Sequence, residues 1–345
     1  MEQRIRYPLA ILFVGGYILQ SAEARTTRIS LLKILRLIEV SPMADLLTRA
    51  FLTLRSHFFE SPRSPDCFPL REKRNTQDNP FDEYVAEQVL SEMDGVQCER
   101  SGPLTSPDLV LYRSEKVDGA SKSELTEDLD AIVGLEVKKL ERTDAGNIAR
   151  ASGLDYNTTP PSGHVQVYDS DDTEMKIRSF YLFVCSEECP ENAEERAVTA
   201  LTLVDGKAIN RDYEFYKKIT GSRQKDIGLG SYGDGMDRNR PMLVFPNPLG
   251  ADRFDHEATL VHESDGLESQ VENLDVAYEL ERTLSDGGTV GFACYRLAGD
   301  IPASHKADTL ADPFPSPSDR SRSTSQRAKF NLPVSVSGSG KQLSL

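Results

Sequence analysis

The chain of 345 residues is short of positive charge, of paired cysteines and of long apolar runs, and each shortage narrows its chemistry. Lys and Arg number 40 against 55 Asp and Glu, for a formal charge of −15. Nucleic-acid binding draws on local Lys/Arg excess, so this balance speaks against a uniformly basic binding protein. The charge is unevenly placed: residues 1–75 hold 12 basic and 7 acidic side chains, leaving 28 and 48 for residues 76–345. Much of the acid lies in polar loops such as 169–174 and 187–195, which leaves room for a local basic cleft. The five cysteines give neither an even disulfide framework nor paired metal spacing. Cys185-x3-Cys189 has no second Cys or His half nearby, so a zinc site is not expected and reduced thiols are.

The apolar run 7–19 is too short to cross a bilayer, so no stable membrane association is expected. With Arg4 and Arg6 before it and Ala22-Glu23-Ala24 after it, the run imitates a secretory signal. Two readings follow: residues 1–24 are the signal of a secreted protein, or residues 1–42 are an extension ahead of Met43 in a cytoplasmic one. The cysteine usage favours the cytoplasmic reading. Residues 43–299 then form one domain. Residues 300–345, dominated by Pro, Ser, Asp and Arg, form a disordered tail. His256 and His262 lack the H-E-x-x-H spacing of a zinc protease helix, and no repeat is present.

Apolar spacing near three to four predicts helices within 27–60, broken at Ser41-Pro42, and again over 80–93. Short apolar runs at 109–112, 131–135, 165–168 and 180–185 predict strands, the last apolar on both faces as in a buried central strand. Residues 197–204 read as strand or helix, 212–219 and 274–284 as helices, 241–248 as a strand ended by prolines, and 289–297 as the last strand. The alternation predicts an α/β fold with a mixed central sheet flanked by helices.

The most informative stretch joins Pro107-Asp108, at the mouth of one strand, to Glu136-Val137-Lys138, at the far end of the next. Strand alternation sets Glu136 and Lys138 on one face and Val137 on the other. A hairpin with a polar loop, 114–130, spans the 28 positions between Asp108 and Glu136. Two carboxylates and an ammonium at one sheet edge suit phosphodiester hydrolysis. Hard Mg2+ takes one or two carboxylates with water and phosphate oxygens, and a Lys beside it orients the attacking water and offsets developing charge.

These residues, Pro107, Asp108, Glu136, Val137 and Lys138, resemble the pattern of the PD-(D/E)xK nuclease superfamily, and within it the type II restriction endonucleases, over residues 80–297. The resemblance implies a restriction endonuclease-like core and Mg2+-dependent, sequence-specific cleavage of double-stranded DNA by a homodimer, with a cognate DNA methyltransferase in the same system. It implies Asp108 and Glu136 as metal ligands and Lys138 as the assistant to water, with Lys139 a poor substitute. It also implies an acid on the preceding helix, Glu83 or Glu87. On that reading Arg150, Tyr156 and Asn157, in the loop after the Lys138 strand, lie beside the DNA. Arg238 and Arg240 follow the glycine-rich run Gly228-Leu229-Gly230-Ser231-Tyr232-Gly233 and either contact guanine or phosphate or pair with Asp234 and Asp237. That run lacks the preceding strand and following helix of a dinucleotide site. Alternatives are a structure-specific repair or junction nuclease, a nuclease-like fold that only binds a partner, and a secreted acidic protein whose carboxylates never converge.

Overall fold

A computed structural model of the chain describes residues 44–156, 163–209, 243–301, 308–311 and 314, apart from 62, 76, 103–104, 152–153, 264–265 and 284–287. The Asp45 carboxylate accepts the Thr48 N–H at 2.7 Å and so caps helix α1 (Leu46–Phe58). Leu46, Leu47, Ala50, Phe51, Leu54 and Phe58 recur along one side of α1 and are fully buried. Each large side chain in that stripe contributes about 1.5–3 kcal/mol by leaving water. Strands β1 (Phe59–Ser61) and β2 (Ser64–Pro65) pair as a small ribbon, and β3 (Cys67–Pro69) follows. Pro80, tolerated in a first helical turn, opens α2 (Pro80–Tyr84), which continues as a π turn over Val85–Val89 and a 3-10 turn over Leu90–Glu92.

The main sheet gathers β4 (Gln97–Arg100), β5 (Leu109–Tyr112), β6 (Ile132–Leu140), β8 (His164–Tyr168), β9 (Glu174–Cys189), β10 (Asn192–Asp205), β12 (Ala258–His262), β13 (Leu274–Thr283), β14 (Thr289–Leu297) and β15 (Asp308–Ala311), together with β3. A separate pair joins β7 (Leu154–Tyr156) to β11 (Leu243–Phe245). The order is β15-β13-β14-β12-β10-β9-β6-β5-β4, with β3 beside β10 and β8 beside β9. Contacts β6 to β9, β10 to β12 and β13 to β15 are parallel and the rest antiparallel, so the sheet is mixed. The centre of β9 is apolar on both faces because both are covered. Phe180, Leu182 and Val184 pack on the α1 side, and Phe183 and Cys185 on the other. That second side is closed by Phe254, Phe314 and the short helix α5 (Gly206–Ile209), so among the described residues a long helix flanks one face only.

Several expectations are corrected. Residues 274–284 do not form a helix: β13 runs from Leu274 to Thr283, and after an irregularity between Val276 and Tyr278 its buried Tyr278, Leu280 and Arg282 alternate with exposed Glu279 and Glu281, a period of two. Residues 197–204 are strand, within β10. The polar loop 114–130 carries two single-turn helices, α3 (Ser114–Val117) and α4 (Lys122–Leu125), the second held by a capping box between Ser121 and Glu124. The segment after residue 299 is not wholly a tail. Arg55 binds both oxygens of buried Asp300 at 2.7 and 2.8 Å, β15 pairs with β13, and Phe314 lies against Phe254 and under the Arg282 guanidinium. Thiols are not all reduced, because β3 lies along β10 and carries Cys67 to Cys189, with a Cα separation of 5.8 Å, where a disulfide joins them; Cys98, Cys185 and Cys294 are free. Residues 1–42 and the expected helix 212–219 lie outside the described residues. No described helix is long and apolar enough to cross a membrane.

Candidate active site

The hairpin of β5 and β6 decides where the chemistry sits. Leu109 pairs with Leu135 and Leu111 with Val133, both pairs buried against the α1 face. Continuing this antiparallel register by one residue sets Asp108 opposite Glu136, on the same side of the sheet. Asp108 Oδ2 accepts the Val137 backbone N–H at 2.7 Å, which fixes its carboxylate across the strand end. Pro107 reaches this position because Gly134 has no side chain: a Cβ there would stand 2.8 Å from Val165 Cγ1 and 3.1 Å from Pro107 Cγ.

Glu136 is buried and its oxygens are divided. Oε2 accepts the Ser106 hydroxyl at 2.9 Å and Oε1 accepts Lys138 Nζ at 2.6 Å. Val137, between them in sequence, packs in the core behind the strand. Burial, then the charge of Glu136, pushes Asp108 up to about 7, against the opposing pull of Lys138 and the Val137 N–H. Burial and the charge of Glu136 thus hold back the ionisation of this carboxyl, which is unusual for an aspartate.

Neither expected acid of the preceding helix, Glu83 or Glu87, is buried; the buried acid of that helix is Asp82. Glu83 is held by Arg71 and Arg100 at 2.6–3.0 Å, which keeps it ionised with a pKa of about 2, and Glu87 is exposed. Asp82 is buried, and its Oδ1 has Lys139 Nζ at 3.3 Å and is otherwise unpartnered among the described residues. Burial raises its pKa, the charges of Lys139 and Lys138 oppose the rise, and Glu136 adds to it. The sequence held a signal for this: Asp82 lies on the helix stripe of Val85 and Val89, where an acid is out of place. Lys139 turns away from Lys138, toward Asn79 and Asp82.

The donor types suit a hard divalent cation: carboxylate oxygens, with Asp82 Oδ1 buried and facing only Lys139 among the described residues, around a carboxyl whose ionisation is held back by burial and by Glu136. Among the described residues the one group of three Cys, His, Asp or Glu donors within 4.8 Å of one another is Cys67, Cys189 and Glu195, and its two sulfurs are bonded to each other. The hairpin carboxylates form no such group, so a cation there would need water or phosphate oxygens to complete its shell.

A groove of about 660 Å3 opens beside Lys138. Arg71, Lys73, Lys139, Arg150 and Arg196 line it with Lys138, against one acid, Glu141, so the acidic chain does carry a local basic cleft. Arg150 is the one expected DNA contact that the described side chains bring to this place. Tyr156 lies in β7, paired to Leu243, while Asn157, Arg238, Arg240 and the run 228–233 lie outside the described residues. A second buried charge cluster was not foreseen: Arg178 pairs with Asp205 at 2.6 Å and with Glu263, to which Lys207 Nζ donates at 2.8 Å. It ties β9 to β10 and β12 and lies outside the groove. Comparison of the chain with protein-family models, with curated proteins and with solved structures gives no match.

Proposed function

We propose that the protein is a Mg2+-dependent DNA endonuclease of the restriction endonuclease-like kind, hydrolysing phosphodiester bonds at Asp108, Glu136 and Lys138. The observation that carries this reading is that Asp108, one residue beyond the last β5–β6 pair, accepts the Val137 N–H next to Glu136, while Lys138 Nζ donates to Glu136 Oε1. Asp108 and Glu136, backed by Asp82, would hold the ion, which supplies charge that polarises the phosphate and acidifies water. Lys138 would donate a hydrogen bond to the attacking water, whose oxygen forms the new bond to phosphorus as the P–O bond to the leaving oxygen breaks and whose proton passes to solvent. Glu136 aims the ammonium and is itself aimed by Ser106. Lys139, committed to Asp82 and Asn79, does not substitute for Lys138.

Sequence-specific cutting of double-stranded DNA by a homodimer, in a cytoplasmic system with a companion methyltransferase, is the finer form of the proposal. One observation favours a second form, a nuclease without sequence preference in an oxidising compartment: the Cys67–Cys189 bond, which reducing cytosol disfavours. Purified protein incubated with unmethylated bacteriophage DNA, with Mg2+ or with EDTA, separates the two. Discrete fragments that require Mg2+ and vanish in Lys138→Ala support the first form, and a smear with the same dependences supports the second. Intact DNA under all conditions refutes both.

A further inference from the structure

The catalytic proposal leaves the basic groove beside Lys138 without a role. Its walls come from the segment after β3, the start of α2, the end of β6 with Ala149 and Arg150, and the β9–β10 hairpin. Three of its six cations are already balanced: Arg71 by Asp78 and Glu83, Lys138 by Glu136, and Lys139 by Asp82. The other three, Lys73, Arg150 and Arg196, make no ion pair among the described residues; Glu141 lines the groove with them and Glu188 stands opposite Arg196 across the β9–β10 ladder. Two of these are placed by their surroundings. Arg196 Nη2 donates to the Ser186 carbonyl at 3.3 Å, and Arg150, at a left-handed φ of 57°, has its carbonyl held by Asn247 Nδ2 at 3.2 Å. Unpaired cations that line one groove raise the local concentration of anions there.

We infer that this groove is the path of the phosphodiester backbone on one side of the scissile bond, with Lys73, Arg150 and Arg196 each neutralising one phosphate. The inference rests on the nuclease reading for the identity of the polymer, because Lys138 lines the groove and its Nζ donates to Glu136 Oε1. It differs from that reading in what it requires: binding through these three cations takes place without metal and without cleavage. Charge along a backbone track fixes register and adds affinity without reading bases, so sequence recognition belongs elsewhere on the molecule.

The test is fluorescence anisotropy of a labelled DNA duplex in EDTA over a salt series, with wild type, the single variants Lys73→Gln, Arg150→Gln and Arg196→Gln, the triple variant, and Lys176→Gln as an exposed control on the opposite end of β9. Thermal melting establishes that each variant is folded. Each phosphate contact contributes about 0.9 to the slope of log affinity against log salt, so the triple variant is expected to lower that slope by roughly 2.7 and the control to leave it unchanged. An unchanged slope in the triple variant, no DNA binding by wild type, or equally tight and groove-dependent binding of polyglutamate would each overturn the inference. Cleavage assayed in parallel with Mg2+ keeps the two proposals apart. Groove-dependent binding without cutting leaves the track standing and removes the nuclease, and cutting with an unchanged slope does the reverse.

Discussion

Asp108 is the residue where fold and chemistry pull against each other. With its folded pKa near 7, it retains a proton that the unfolded chain has already released above the usual carboxylate range near 4. Between those values the native state binds more protons than the unfolded state, so this residue's contribution to stability falls as pH rises and stays low above 7. Asp108→Asn keeps an oxygen for the Val137 N–H and removes the charge that Glu136 repels. The substitution should therefore stabilise the metal-free protein by on the order of 2–4 kcal/mol at pH 8, and by progressively less toward pH 4. Urea unfolding at the two pH values measures this. In the same experiment Mg2+ should stabilise wild type at pH 8 more than at pH 6, and Asp108→Asn and Asp82→Asn little at either. Glu87→Gln, at an exposed position, should respond as wild type does. Equal Mg2+ stabilisation of wild type and Asp108→Asn would remove Asp108 from the site.

At the scale of elements, the site depends on how closely the segment before β5 approaches β6. Gly134 is the point of contact, with Pro107 and Val165 against it. Gly134→Ala sets a Cβ 2.8 Å from Val165 Cγ1 and 3.1 Å from Pro107 Cγ, so both must give way, which costs about 1–3 kcal/mol as overpacking and should shift Asp108, the neighbour of Pro107, relative to Glu136. Cleavage should fall far more than stability does; activity retained at the wild-type level would show that Asp108 does not need this approach. The residues of the hairpin were readable in sequence because apolar runs of strand length end on them. The helix acid was less so: Glu83 and Glu87 are on accessible sides of the segment and Asp82 is inside it, a difference that only the packing of Phe81, Val85 and Val89 settles. Residues 274–284 misled for a related reason. The irregularity between Val276 and Tyr278 buries Ala277 and Tyr278 in succession, and together with Leu274 this imitates the spacing of a helix face.

For the molecule as a whole, the Cys67–Cys189 disulfide closes 122 positions of sequence and connects β3 to the β9–β10 hairpin. A pairing of this kind was unreadable in the sequence, where five cysteines offer no framework and the partners meet only through strand order. A loop of that length makes the bond worth about 3–5 kcal/mol in the chain-entropy account. Reduction, or the double substitution Cys67→Ser and Cys189→Ser, should lower the urea midpoint accordingly, and reductant should then have no further effect on the double variant. The groove wall that carries Leu70, Arg71 and Lys73 begins three residues after Cys67, so reduction should also weaken DNA binding.

A metal-dependent phosphodiesterase site at Asp108, Glu136 and Lys138 is the core of the proposed function. Its most direct test is the single-turnover rate of DNA cleavage in Mg2+ by wild type and by Lys138→Ala, at pH values from 6 to 8. The wild-type rate should rise with pH as Asp108 ionises, and Lys138→Ala should lose at least ~100-fold, as expected when a group that stabilises developing charge is removed. A Lys138→Ala rate within threefold of wild type, or cleavage that persists in EDTA, would contradict it.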